Sequence, residues 1–233
     1  MTMKHLLPLL ITLLCCMPKW AFAQVDEDQL GAWYMYFWNT RFDDSRWGLQ
    51  GDVQDRNWDG LGDLEQLLIR GGLTWTPEAA DLTLTFGYAN ITSGEFGDSD
   101  ATSTEHRVYQ EALIPQRLGE RVHLRHRFRL EQRWVEDQSF RNRFRYALFM
   151  DIPLNQTTMG RGAWYLAFYD ELFVNLEHDI GGGREVDSFD RNRAYGALGY
   201  ALRDRLRVQF GYMQQTTDDV DKGQVQLSLH HSF

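Results

Sequence analysis

The stretch E-R-V-H-L-R-H-R-F-R-L-E-Q-R-W-V, residues 120–135, alternates between two kinds of side chain. Val122, Leu124, His126, Phe128, Leu130, Gln132 and Trp134 share one parity; Arg121, His123, Arg125, Arg127, Arg129, Glu131 and Arg133 share the other. After a polar break, E-D-Q-S at 136–139, the pattern resumes. Phe140, Phe144, Tyr146, Leu148, Met150 and Ile152 now alternate with Arg141, Arg143, Arg145 and Asp151. A period of two sends successive side chains to opposite faces of a strand. The stretch therefore predicts a β-hairpin with one apolar face and one face crowded with arginine. In a soluble sandwich the apolar face would be the core. In a membrane barrel it would meet lipid, and the arginines would fill the lumen.

The rest of the chain favours the barrel. Eleven amphipathic segments of the same kind run from Trp33 to Phe233, each about 9–15 residues long, enough to cross a bilayer as a tilted strand. Strands of soluble globular proteins are nearer five or six residues. Connections alternate in kind. Short turns are expected after the third, fifth, seventh and ninth segments, three of them marked by Pro77, Pro115 and Pro153. The polar, acidic stretches 93–103 and 177–188 are expected to be long loops. Single-chain bacterial barrels have even strand numbers, so eleven segments suggest one missed strand. The expectation is an all-β, antiparallel transmembrane barrel of about 10–12 strands, with twelve preferred.

The N-terminus reads as a secretory signal: Lys4 and His5, an apolar run from Leu6 to Met17, then Ala21-Phe22-Ala23 as an A-x-A cleavage site. That divides the chain into a signal peptide, 1–23, and a barrel domain, 24–233. Cys15 and Cys16 both lie in the signal, preceded by Leu14 rather than a small residue, which argues against lipidation. The remaining chain has no cysteine for disulfides, thiol catalysis or metal binding. Removing Lys4 and Lys19 leaves 22 basic residues against 33 acidic ones, a net charge of −11. That balance argues against a nucleic-acid partner. Of the 22, all but Lys222 are arginine, the side chain suited to packed, multiply bonded ion pairs.

A turn at 136–139 places Glu131 opposite Arg143 and His123 opposite Asp151. It also places Arg133 opposite Arg141 and Arg129 opposite Arg145. Like charges directly opposite destabilise a ladder, so other strands must supply carboxylates. A turn at 115–119 would bring Glu105 near Arg129, and Glu111 near His123 and Arg125. The next connection would bring Glu171 near Arg143. The residues expected to line the lumen are Arg107, Glu111, Arg125, Arg127, Arg129, Glu131, Arg143, Arg145, Glu171 and Arg193. They could form a structural network filling the barrel or a narrow pore or pocket favouring anions.

A lipid-hydrolysing barrel is an alternative, with His106, His126 and His231 on the outward face, but no G-x-S-x-G or other nucleophile motif accompanies them. A soluble periplasmic barrel that binds a ligand is another. No catalytic residue, metal site or cofactor is expected. Phe233, ending a segment with alternating hydrophobics, resembles the signal that outer-membrane proteins offer to the barrel assembly machinery; His231 departs from the usual apolar choice two residues earlier.

The segments 105–111 (E-H-R-V-Y-Q-E), 127–134 (R-F-R-L-E-Q-R-W), 143–146 (R-F-R-Y), 169–175 (Y-D-E-L-F-V-N), 189–200 (F-D-R-N-R-A-Y-G-A-L-G-Y) and the closing S-F, in this order, resemble domain-of-unknown-function family 2490. The resemblance covers essentially all of the chain after the signal. It implies a signal-bearing bacterial protein with an outer-membrane barrel, meeting outer-membrane lipids and lipopolysaccharide. It carries no established activity and no catalytic residues. The working expectation is an outer-membrane protein of a Gram-negative bacterium, acting as a narrow passive channel or an envelope component.

Overall fold

The computed structural model describes residues 29–233; the expected signal peptide at 1–23, and all but the last residue of the polar lead 24–29, lie outside them. Strands β1 (Gly31–Arg41), β2 (Trp47–Asn57), β3 (Leu64–Trp75), β4 (Thr83–Gly94), β5 (Thr102–Leu118), β6 (Val122–Val135), β7 (Arg141–Pro153) and β8 (Trp164–Asn175) follow one another in the wall. A small separate hairpin, β9 (Asp179–Gly181) and β10 (Arg184–Glu185), interrupts them. The wall then continues through β11 (Phe189–Arg203), β12 (Leu206–Thr216) and β13 (Asp221–Ser232) and closes on β1. Among the described residues there is no helix.

The closed wall thus has eleven strands, not the twelve preferred from parity. Antiparallel neighbours alternate in direction, so an odd ring can close only if one pair is parallel. That pair is β1 with β13, in register from Gly31↔Gln224 to Asn39↔Ser232. The evenness rule presumes antiparallel closure and does not bind once the seam is parallel. A second consequence is that β1 enters at the rim carrying the connections 58–63, 95–101, 136–140, 176–188 and 217–220, while β13 leaves at the opposite rim. We call these the loop rim and the turn rim.

Two expected connections fall elsewhere. β5 runs through Pro115 to Leu118, and the reversal comes at Gly119, in the left-handed region at φ +60°. β4 ends its pairing with β5 at Leu113↔Thr83, so Pro115 lies where one edge of β5 is free, a position where a residue lacking an N–H is tolerated. The connection after β7 is ten residues long, 154–163, rather than a short turn. The stretch 177–188 contains the β9–β10 hairpin, whose reversal uses Gly181, Gly182 and Gly183, all at positive φ. This hairpin folds onto the β6–β7 turn. Ser139 donates its N–H to the Ile180 carbonyl at 2.8 Å, and Arg184 donates to the carbonyl of Asp137.

Burial across the wall is inverted relative to a water-soluble protein. Among the described residues, twenty-five polar or charged ones are buried, against sixteen apolar or aromatic ones. Twenty-nine large apolar or aromatic side chains are exposed, among them Phe86, Phe128, Leu130, Trp134, Phe144 and Phe210. Fully burying one such side chain is worth roughly 1.5–3 kcal/mol, and no described residue covers them. The arginine-bearing face of residues 120–153 points into the barrel.

The interior also holds large aromatics, and glycines make room for two of them. Tyr109 lies opposite Gly87, and Tyr165 opposite Gly199. A Cβ on either glycine would overlap the facing ring. Trp33, Tyr165, Ala167, Tyr195, Ala197 and Met213 form a buried cluster near the seam.

Candidate lumenal site

The interior encloses a cavity of about 450 Å³. Of the ten residues expected to line the lumen, all but Glu131 contribute to its wall, and Glu131 is buried at 1% exposure beneath them. The hairpin pairs derived from the turn at 136–139 hold: Glu131↔Arg143, Arg133↔Arg141, Arg129↔Arg145 and His123↔Asp151 are cross-strand partners. The pairs reaching to β5 and β8 differ from expectation. Moving the turn to Gly119 sets Glu111 opposite Arg129 and Glu105 opposite Val135. Glu171 lies opposite Ala147, not Arg143.

These registers generate a closed ring of alternating charge. Arg145 bridges Glu131 and Glu171, at 2.6 Å to each. Arg127 bonds Glu171 at 2.6 Å and stands 3.8 Å from Glu111. Glu111 pairs with Arg129, which lies 3.7 Å from Glu131 and closes the circuit. Three glutamates and three arginines alternate, so the like-charge pair Arg129–Arg145 is separated by carboxylates on both sides. Arg143 bonds Glu131 at 2.6 Å and extends the network to Asp190, also at 2.6 Å. Asp190 was not anticipated; it lies 47 residues from Arg143 in sequence, and no local spacing signals it. A second cluster joins Glu105 to Arg107 at 2.6 Å and Arg133 at 2.5 Å. Arg70 pairs with Asp52 at 2.6 Å, and Arg125 with Asp151 at 3.0 Å. Charge-assisted, multiply bonded contacts of this kind are the strong form of the hydrogen bond.

The carboxylates do not balance the arginines. Thirteen arginines line the cavity against five carboxylates, Asp52, Glu105, Glu111, Asp151 and Glu171. Adding Glu65, Glu131 and Asp190, which bond to lining residues, still leaves five more arginines than carboxylates. Arg56, Arg141, Arg193 and Arg207 form no ion pair among the described residues. Near the seam the partners are amides instead. Arg56 donates to Gln54 Oε1 and Gln66 Oε1, and Arg193 to Gln215 Oε1 at 2.8 Å. Both guanidinium groups stack on the indole of Trp33, at 3.9 and 4.8 Å from its centroid. The alternation Trp33, Met35, Phe37 shows in the sequence that these side chains share a face, but the convergence of β2 and β11 on Trp33 across the seam needed the closed fold.

On the outer face, His106, His126 and His231 each meet a phenol: Tyr88 at 2.5 Å, Tyr146 at 2.9 Å and Tyr36 at 3.1 Å. None of the three has a serine or threonine hydroxyl as a hydrogen-bonded partner among the described residues. No group of acidic, histidine or cysteine residues among them is arranged to hold a metal ion.

A family profile described as "Protein of unknown function (DUF2490)" matches residues 30–226. An uncharacterised protein of Methylorubrum extorquens is 32% identical over 170 residues, covering 71% of this chain and 69% of that protein. No solved structure matches.

Proposed function

The chain belongs to the DUF2490 family of proteins of unknown function, and on that footing we propose that it is an outer-membrane β-barrel whose arginine-rich lumen is a narrow passive channel for small anions. The observation that carries the reading is the inverted burial: exposed apolar side chains around the wall, ion-paired arginines within. A hydrocarbon environment covers such an outer face and leaves no backbone group unsatisfied in a closed barrel. Wall strands of 11 to 17 residues are long enough to span it at a tilt. In this reading residues 1–23 direct export, the wall contacts outer-membrane lipids and lipopolysaccharide, and Phe233, exposed at the turn rim, is offered to the assembly machinery.

The excess of lumenal arginine favours anions. The two mouths differ. Loop-rim connections carry thirteen carboxylates against one arginine, Arg184, whereas turn-rim connections carry six carboxylates and four arginines. Anions enter more readily from the turn rim, and the current rectifies at low ionic strength, where surface charge is least screened. Outer-membrane partition with a mobility shift on boiling, followed by anion-selective steps in planar bilayers, is the expected result. A protein released by osmotic shock without a shift would overturn the membrane reading. A second reading, a structural barrel without flux, draws on the closed ring Glu131–Arg145–Glu171–Arg127–Glu111–Arg129 that fills one side of the lumen. Heat-modifiable protein with no conductance steps would favour it.

A further inference from the structure

We propose that Arg56, Trp33 and Arg193 form a binding subsite for a phosphate-class anion, an inference that rests on the lumenal reading and names its ligand. Arg56 and Arg193 are 6% exposed each and line the same cavity. Buried guanidinium groups are ordinarily neutralised by carboxylates, as most are elsewhere in this lumen. Here they are not. Arg193 makes one hydrogen bond, from Nε to Gln215, so its terminal nitrogens have no protein acceptor among the described residues. Its guanidinium packs between the rings of Trp33 and Phe173, at 4.8 and 4.9 Å. Arg56 donates only to the amides Gln54 and Gln66.

Of the neighbouring carboxylates, Glu171 is engaged by other cations, while Glu65 bonds only neutral donors and its charge acts on Arg56. Glu65 accepts from the Trp33 indole N–H at 2.8 Å and from Gln224 at 3.1 Å. Glu171, opposite Arg193 in the ladder, is held by Arg127 and Arg145. Amides satisfy hydrogen-bonding geometry but not charge. Two guanidiniums on one indole therefore outnumber the single carboxylate beside them, leaving a net positive charge fixed in orientation and facing a cavity. The planar guanidinium fork matches the oxygens of phosphate, and an anion bound there offsets the remaining charge. A cavity of about 450 Å³ accommodates phosphate or a small phosphomonoester.

The test uses the full barrel in detergent micelles, its folding checked by heat-modifiable mobility. It is titrated with inorganic phosphate at constant ionic strength, with chloride as control, and heat release is followed by calorimetry. Saturable binding to phosphate and none to chloride is expected. Arg193→Gln and Arg56→Gln should each weaken it by about tenfold or more, while Arg46→Gln, the same charge change at the turn rim, leaves it within about twofold. If one lumenal variant does not fold, the other and the wild-type isotherm still decide. No saturation by phosphate, or equal affinity in the folded variants, overturns the subsite. If that failure comes with anion-selective conductance, the channel reading survives alone; if the protein also lacks conductance, both fall. Saturation without conductance supports the subsite and removes the channel.

Discussion

From β5 to the start of β11 the lumen pairs its arginines with carboxylates, Arg141 excepted; around Trp33, where β2 and β11 meet across the seam, Arg56 and Arg193 have no such pair. On the first side Glu105, Glu131 and Glu171 each accept from two guanidiniums and Glu111 from Arg129, while Asp190, at the start of β11, accepts from Arg143 and Arg191. On the second, glutamines and aromatic rings surround Arg56 and Arg193. The first side sets carboxylates against its guanidiniums, whereas the second sets amides and rings against them. The difference separates a part of the interior that holds the barrel together from a part that holds a charge toward the cavity.

The comparison breaks most severely at Glu131. Glu131→Gln removes the carboxylate shared by Arg143 and Arg145 and facing Arg129, leaving buried guanidiniums uncompensated. A loss of roughly 3–5 kcal/mol is expected, read as an earlier urea midpoint for the refolded barrel. Next comes Phe128→Arg on the outward face. It should cost about 2–4 kcal/mol in a bilayer if residue 128 lies near the midplane, measured by folding into lipid vesicles; an unchanged midpoint would mean that this face does not meet hydrocarbon. Gly199→Val drives a side chain against the Tyr165 ring, and about 1–3 kcal/mol should be lost. The smallest effect is Arg193→Gln, which removes an unneutralised buried charge. Stability should change by less than about 1 kcal/mol, or rise, so a loss as large as that of Glu131→Gln would erase the distinction between the two sides.

Much of the wall was legible in the sequence because a period of two reports faces directly. The eleven segments between Trp33 and Phe233 correspond to the eleven wall strands, and one hairpin turn was enough to pair Glu131 with Arg143. Register across the other turns was not legible. Pro115 looks like a terminator, yet it is harmless on the free edge of β5, and the true reversal at Gly119 moves every β5–β6 partner. The closed ring was hidden for a related reason: it is made by long side chains meeting across strands, such as Arg127 and Glu171, 44 residues apart. The seam subsite was the least legible, since bringing Trp33, Arg56 and Arg193 together depends on a parallel closure that local periodicity does not encode.

Which face of the wall meets lipid decides between an arginine lumen and an arginine surface, and depth-dependent quenching by brominated lipids reads that face directly. Two single-tryptophan variants suffice, one keeping Trp134, exposed at 46% on the outer face, and one keeping Trp33, buried at 2% inside. In brominated bilayers the emission of Trp134 should be strongly quenched and that of Trp33 spared. Quenching of neither residue, or of Trp33 in preference to Trp134, would contradict an apolar wall facing lipid around an arginine lumen.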